Sequence, residues 1–479
     1  MYEDLMPTGI AGLDQVLDGG LVRGNSLLIE GPPGSGKTTL AVQILYNGLA
    51  KYEEPGVLIS FEEFPRQLYR QCASFGLDLE KYEKAGALRV IWTTPDRVVG
   101  SLTGREDLLG GMVKDMGAKR VLIDSITHFQ RVTESDKELR EMLYALSNNL
   151  KLQGVNTLLV KELARDDYES IAFEEYVVDA SIRVGRRTKP NDGHVGRFIE
   201  VRKTRGRAHV PGNHPFEFTE EGISVYPQCR AEDYVKLVGP AEAGPAENGR
   251  VSTGNAEFDE MLGGGLLPGS TALLVGYAGT GKSVGSLFFL EEGLKLEEPC
   301  LLVSLRKQAD KYCEFAESFG IDLQRAEEKG HLNILTFMAS GLCVEKMLLK
   351  ICEEMNRTGA RRVVFDSLHD LHMALDDARR LQEKVELLSR IFEASGATTV
   401  FVAEADDRSG QVTDGDTDFS YLVDVVARMA IRETSKGIAR DLTITKMQGS
   451  DHLKRACPYT IDSTGMHIDL AAAASEASS

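Results

Sequence analysis

Two stretches of the chain share the pattern G-x-x-x-x-G-K-[ST]: Gly31-Pro32-Pro33-Gly34-Ser35-Gly36-Lys37-Thr38 and Gly276-Tyr277-Ala278-Gly279-Thr280-Gly281-Lys282-Ser283. In such a loop, backbone N–H groups cradle phosphates, the lysine reaches the β and γ oxygens, and the hydroxyl holds Mg2+. The pattern predicts two nucleotide sites. Gly31, Gly34, Ser35, Gly36, Lys37, Thr38 and Thr39 belong to the first, and Gly276, Gly279, Thr280, Gly281, Lys282 and Ser283 to the second. Thr38 and Ser283 are the candidate metal hydroxyls.

Further along, two aliphatic runs end in aspartate, Val121-Leu122-Ile123-Asp124 and Val363-Val364-Phe365-Asp366. A carboxylate at a strand end reaches a bound cation directly or through water, whereas a lone aspartate there more often caps a helix. Recurrence at matching spacing from both loops favours the metal role for Asp124 and Asp366. Glu62 and Glu63 directly follow the aliphatic segment 57–61. In a parallel α/β sheet the carboxyl ends of the strands form the ligand crevice, so this pair suits positioning of an attacking water. Acidic residues also suit the first turn of a helix, and the residues alone leave both readings open. Aligning Ser60 with Ser304 and Ser74 with Ser318 places Arg306 and Lys307 where Glu62 and Glu63 stand. That half of the chain keeps the loop but has no acid pair to orient water. Its cations do not repel phosphate, so the residues leave two readings, nucleotide binding without hydrolysis or a loop kept only as a structural remnant.

The elements that must carry these residues are written twice. Thr8-Gly9, Leu13-Asp14 and Gly19-Gly20 pair with Thr253-Gly254, Phe258-Asp259 and Gly264-Gly265 at a constant offset of 245, which Lys37 and Lys282 keep. The offset drifts by only a few residues downstream, which predicts a duplicated domain, not a short-period solenoid. Expected strands are 26–30, 56–60, 120–124 and 157–160; expected helices are 38–49, 66–75 and 138–153. Segments 197–203 and 216–225 read as late antiparallel strands. Buried aliphatic strands alternating with helices predict an α/β fold: two tandem P-loop domains, each a mainly parallel sheet flanked by helices. The expected boundaries are 1–228, a Pro/Gly/Ala-rich linker over 229–249, 250–470, and a frayed Ala/Ser/Glu tail over 471–479.

At 479 residues the chain suits two such domains, and its net charge of −18 disfavours general attraction to nucleic acid or anionic membrane. Seven scattered cysteines form no C-x-x-C pair, so reduced structural thiols are expected. The start of the chain lacks the basic and apolar regions of a signal peptide, and a cytoplasmic location is the expectation. A basic run, Arg183, Arg186, Arg187, Lys189, Arg197, Arg202, Lys203, Arg205 and Arg207, reads as a solvated strand face or, more sharply, as a nucleic-acid stripe.

In order, Phe61-Glu62-Glu63, Leu122-Ile123-Asp124-Ser125, Glu174-Glu175-Tyr176-Val177-Val178-Asp179 and Lys203-Thr204-Arg205-Gly206 resemble the KaiC family of RecA-like ATPases. The likeness spans residues 5–468. It implies a double-ring homohexamer with ATP and Mg2+ bound between subunits, and it makes Glu62 and Glu63 the hydrolytic carboxylates. Lys203 and Arg205 match the family's K-x-R-G element, which reaches the γ-phosphate on the neighbouring subunit. In the second copy this element reads Lys446-Met447-Gln448-Gly449, and a neutral amide at 448 cannot replace a guanidinium. The resemblance also raises a Ser/Thr autokinase reading. Only Ser420 survives at the corresponding Ser-Thr pair, with Tyr421 beside it, and the acid pair that would serve as base is missing. A RecA-like DNA-remodelling ATPase is the remaining alternative, disfavoured by the acidic charge.

Overall fold

Runs such as Leu27-Leu28-Ile29 and Val121-Leu122-Ile123 are aliphatic at every position, as strands covered on both faces require. The computed structural model describes residues 4–103, 108–133, 135–163, 174–188, 193, 195–239, 249–375, 377–405, 419–434 and 437–471. The chain divides into two units, Met1–Gln228 and Cys229–Ser479.

The first unit is built on a nine-stranded sheet: β1 (Ser26–Gly31), β2 (Gly56–Ser60), β3 (Leu88–Trp92), β4 (Arg120–Asp124), β5 (Asn156–Glu162), β6 (Ala180–Thr188), β7 (Val195–Thr204), β8 (Asn213–Thr219) and β9 (Gly222–Val225). Across the sheet the order is β9-β8-β7-β6-β1-β5-β4-β2-β3. Strands β1 to β6 are parallel, and β7, β8 and β9 add on antiparallel. Side chains alternate between faces with period two. Leu27, Ile29, Leu58 and Leu122 enter one core, while Leu28, Val57, Ile59, Val121 and Ile123 enter the other.

The second unit repeats this plan with β10 (Thr271–Gly276), β11 (Cys300–Ser304), β12 (Leu332–Thr336), β13 (Arg362–Asp366), β14 (Thr398–Glu404), β15 (Val425–Thr434), β16 (Gly437–Met447), β17 (Cys457–Asp462) and β18 (Gly465–Ile468). Its order, β12-β11-β13-β14-β10-β15-β16-β17-β18, matches the first sheet strand for strand.

Both units share a buried clamp. Arg120, fully buried, donates to Glu54 Oε2 (2.7 Å), Ile44 O (2.7 Å) and Pro7 O (3.0 Å). Arg362 does the same with Glu298, Phe289 O and Ser252 O. Helix glycines make the room: a Cβ on Gly48 would lie 2.6 Å from Arg120 Nε, and one on Gly293 2.5 Å from Arg362 Cδ. The repeated Thr-Gly and Asp of the opening segments form a second shared turn. Asp14 accepts from the Thr8 amide and hydroxyl, both at 2.7 Å, and Asp259 from those of Thr253 at 2.8 and 2.7 Å.

Several local expectations shift. Segment 216–225 is two strands joined by a turn at 220–221, and β6 was not anticipated because its arginines break the aliphatic pattern. The expected linker is in part structure: Ala231–Leu237 is a helix whose Tyr234, with Val238, is buried in the second unit's core. Seven residues are too short to show a helical period, which is why composition read them as linker. Residues 240–248, Lys189 and the tail beyond 471 lie outside the described residues. Among the described residues no helix is long and apolar enough to cross a membrane.

Candidate active site

The first site gathers at the carboxyl ends of β1, β2, β4 and β5. Strand β1 runs into the phosphate loop, where Gly34 and Gly36 adopt φ of 72° and 107°. Gly36 then caps the helix Lys37–Tyr52. A Cβ there would meet Phe218 Cζ at 2.8 Å, so glycine is required by both conformation and packing. The helix presents free N–H groups and the positive end of its dipole to the loop, a natural anion site.

Lys37 is buried and donates to Pro32 O at 2.9 Å, with a Glu162 carboxylate oxygen 3.9 Å away. Burial pushes its pKa down, and Glu162, Asp124 and Glu62 oppose the shift. One of three ammonium protons satisfied by a close carbonyl leaves donors for phosphate oxygens. The buried Ser35 Oγ has no hydrogen-bond partner among the described residues, which also fits a polar ligand in the cradle.

Glu63 leaves β2 in a turn fixed by its own N–H donating to Ser60 Oγ at 3.1 Å. Its carboxylate lies 3.0 and 3.2 Å from the Gln71 amide nitrogen when that amide is oriented to donate, from the helix Pro65–Ala73. Glu62 stands 2.8 Å from His128 Nε2. His128 is nearly buried in the 3-10 turn Ile126–Arg131 that follows Asp124, edge-on to Phe61.

Asp124 carries the largest consequence of this crowding: burial raises its pKa to about 6, the Thr38 hydroxyl and Lys37 opposing and Glu63 and Glu62 adding to the shift. Lys37, Thr38, Glu62, Glu63, Asp124 and Glu162 line one cavity. Carboxyls held away from their ordinary pKa in a crevice recur at functional sites, though buried ion-pair networks shift them too. Among the described residues no group of three or more His, Cys, Asp or Glu side chains is arranged to hold a metal. The Asp124 carboxylate and the Thr38 hydroxyl, hydrogen-bonded to each other, are oxygen donors of the kind that hard divalent cations take.

Lys203 and Arg205 do not line this cavity. Lys203 Nζ donates to Glu175 O (2.6 Å) and Val178 O (2.7 Å), and Arg205 to Tyr176 O (2.8 Å), so both close the short helix Glu174–Val177. Of the other arginines in the basic run, Arg183 is neither surface nor stripe: it is buried against Glu30, with nitrogens 2.8 and 3.0 Å from Oε1. Arg207 pairs with Asp18 at 2.8 Å. Folding demands, not phosphate contact, account for these two.

The second unit keeps the frame and changes the contents. Gly279 and Gly281 have φ of 79° and 96°, and Lys282 donates to Gly276 O (2.7 Å) and Tyr277 O (3.0 Å). Lys307 occupies the place of Glu63, since its N–H donates to Ser304 Oγ at 3.2 Å as that of Glu63 does to Ser60. Asp366 accepts from the Ser283 hydroxyl at 3.2 Å, and burial raises its pKa. Lys446 donates to Ser420 O (2.8 Å) and Val423 O (2.6 Å), reproducing the Lys203 contacts, and the backbone N–H of Gln448 donates to Asp424 O at 3.0 Å as that of Arg205 does to Asp179 O at 2.9 Å.

Sequence reasoning missed four residues of the first site: Ser60, Gln71, His128 and Glu162. Glu162 was detectable through its twin Glu404 at the end of β14, which is likewise the leading attractive charge on Lys282. His128 left no such signal, because its counterpart is Asp370.

The profile of the family described as "ATPase: KaiC" matches residues 6–230 and 251–472. The chain is 32% identical to the circadian clock oscillator protein KaiC of Parathermosynechococcus lividus over 475 residues, 96% of this chain and 84% of that one. It is 31% identical to KaiC of Prochlorococcus marinus subsp. pastoris, over 98% of this chain and 91% of that one, and 28% identical to KaiC of Synechococcus elongatus, over 97% and 88%. With a duplicated sheet order, a phosphate loop in each copy and matches across both, the chain belongs to the KaiC family of ATPases.

Proposed function

We propose that residues 1–228 hydrolyse ATP and that residues 250–470 bind ATP without hydrolysing it, in a homohexamer with nucleotides between subunits. The observation that carries this reading is the contrast at one structural position: Glu62 and Glu63 face the first cavity, and Arg306 and Lys307 replace them in the second unit. Lys37 and the loop amides hold the phosphates. Glu62, steadied by His128, accepts a hydrogen bond from the attacking water and turns its lone pair toward phosphorus, while Glu63, held by Gln71, fixes the water from a second side. Mg2+ held by Asp124 and Thr38 would neutralise charge on the β and γ oxygens. Lys203 and Arg205 of one subunit supply positive charge to the γ-phosphate bound by the next. Their attachment to the helix Glu174–Val177 pre-organises them for that task. Neither the autokinase nor the DNA-remodelling reading gains support from a particular contact.

The test is Glu62→Gln combined with Glu63→Gln. Phosphate release should fall by at least ~10²-fold with nucleotide binding and assembly retained. Wild-type turnover in this variant would remove both residues from the chemistry. Size determination of the nucleotide-loaded protein tests the hexamer independently.

A further inference from the structure

Three positions around the second loop have changed together. Where the first unit has Glu63, Leu68 and Gln71, the second has Lys307, Tyr312 and Phe315 at a constant offset. In the first unit the Gln71 amide meets the Glu63 carboxylate, and Leu68 lines the cavity beside Asp124. In the second, the Lys307 ammonium sits 4.1 Å from the Phe315 ring centroid and 5.0 Å from that of Tyr312. The Tyr312 hydroxyl, on a fully buried side chain, donates to Asp366 Oδ2 at 3.2 Å, the same oxygen that the Ser283 hydroxyl contacts at 3.2 Å. Each replacement complements the others: a cation for an anion, an aromatic face for the amide beneath it, and a phenol for an alkyl group beside the aspartate.

These residues do not fit a divalent cation as the first unit's do. The Ser283–Asp366 contact has its counterpart in Thr38–Asp124, but only Asp366 also carries a phenol, and only there is an added ammonium, Lys307, drawn to the same carboxylate. A divalent cation there would join two ammonium groups, Lys282 and Lys307, on one carboxylate, whereas in the first unit it would join Lys37 alone and have Glu62 and Glu63 close by. We infer that the second phosphate loop binds a nucleoside triphosphate without a divalent metal, the Lys307 ammonium supplying the positive charge that Mg2+ supplies in the first unit. Lysine is a point charge with three donors, so it can bond phosphate oxygens from a side that the loop lysine, Lys282, does not cover. The inference rests on the reading that the second unit binds nucleotide.

The test is stoichiometry on the full chain, with AMP-PNP as nucleotide and Mn2+ as a countable stand-in for Mg2+, both measured by equilibrium dialysis. Two nucleotides and one Mn2+ per chain are expected. Lys307→Met should raise Mn2+ to two, with folding checked by circular dichroism. If that variant does not fold, the triple replacement Lys307→Glu, Tyr312→Leu and Phe315→Gln restores the first unit's set and should also give two. Two nucleotides with two Mn2+ in the wild type would overturn the inference and leave nucleotide binding intact. One nucleotide and one Mn2+ would overturn the binding reading itself, and the inference with it. A Mn2+ count that stays at one in both variants would remove Lys307 from the role assigned to it.

Discussion

Replacing Asp124 by asparagine should stabilise the ligand-free first unit at neutral pH. Asp124 titrates at about 6 in the folded unit because of burial, against about 3.8 when free, and about two pH units correspond to ~3 kcal/mol. Because the folded pKa is raised, the native unit keeps a proton that the unfolded chain has lost between those values. Wild-type stability from this group therefore falls as pH rises through the window and levels off above it. Asparagine, nearly isosteric and uncharged, lacks the penalty. The difference between variant and wild type should grow by roughly 2 kcal/mol from about pH 4 to about pH 7, other titrations cancelling in the subtraction. The assay is urea unfolding in EDTA without nucleotide, followed by fluorescence of Trp92, the single tryptophan of the chain, which lies in the first unit. Adding Mg2+ and ATP should reverse the order, since ligand stabilises the wild type and less so a variant without the metal carboxylate. A difference that does not change with pH, or shrinks as pH rises, would refute the assignment of Asp124 as a carboxylate buried at a cost and rescued by its ligand.

His128→Ala should lower kcat by ~10- to 100-fold while leaving nucleotide affinity near wild type, because it frees Glu62 to turn away and touches no phosphate group; single-turnover hydrolysis beside a binding titration separates the two effects. Arg205→Ala should reduce turnover by ~10³-fold, and mixing it with Lys37→Ala should recover part of the activity in hybrid rings, a recovery that a finger acting within its own subunit would not allow. Gly48→Val should cost the first unit ~3 kcal/mol or more in the urea assay, because its side chain must displace the buried Arg120 guanidinium from Glu54.

The sheets and loops were legible in the sequence because their signals are local and repeated. Aliphatic strands at β1, β2 and β4, the loop glycines and the aspartates at the strand ends each recur at a nearly fixed offset, and the structure gives both copies the same strand order. What stayed hidden depends on contacts across the fold. Glu62 meets His128 only because β2 and β4 lie side by side, and nothing in residues 62 or 128 alone announces it. Arg183 looked like surface charge until Glu30, on neighbouring β1, accounted for it. The helix Ala231–Leu237 was lost to composition, since a Tyr and a Val four residues apart do not outweigh the Pro/Gly-rich stretch that follows.

The buried arginine clamp has a mechanical consequence for the nucleotide sites. Arg120 ties together the opening segment at Pro7, the phosphate-loop helix at Ile44 and Glu54, just ahead of β2. The helix begins at Lys37 and β2 leads into Glu62 and Glu63, so the phosphate-loop lysine and the acid pair hang from one bracket. Breaking the contacts of a fully buried guanidinium that is bonded at all three nitrogens costs several kcal/mol. A push on the segment around Pro7 is accordingly transmitted to lysine and acids as a single body. Asp124 with the His128 turn, and Lys203 with Arg205, are not among the groups that Arg120 bonds. Arg362 fastens the second unit in the same way through Ser252, Phe289 and Glu298, so Lys307, just past β11, is tied to the helix that leaves the second phosphate loop.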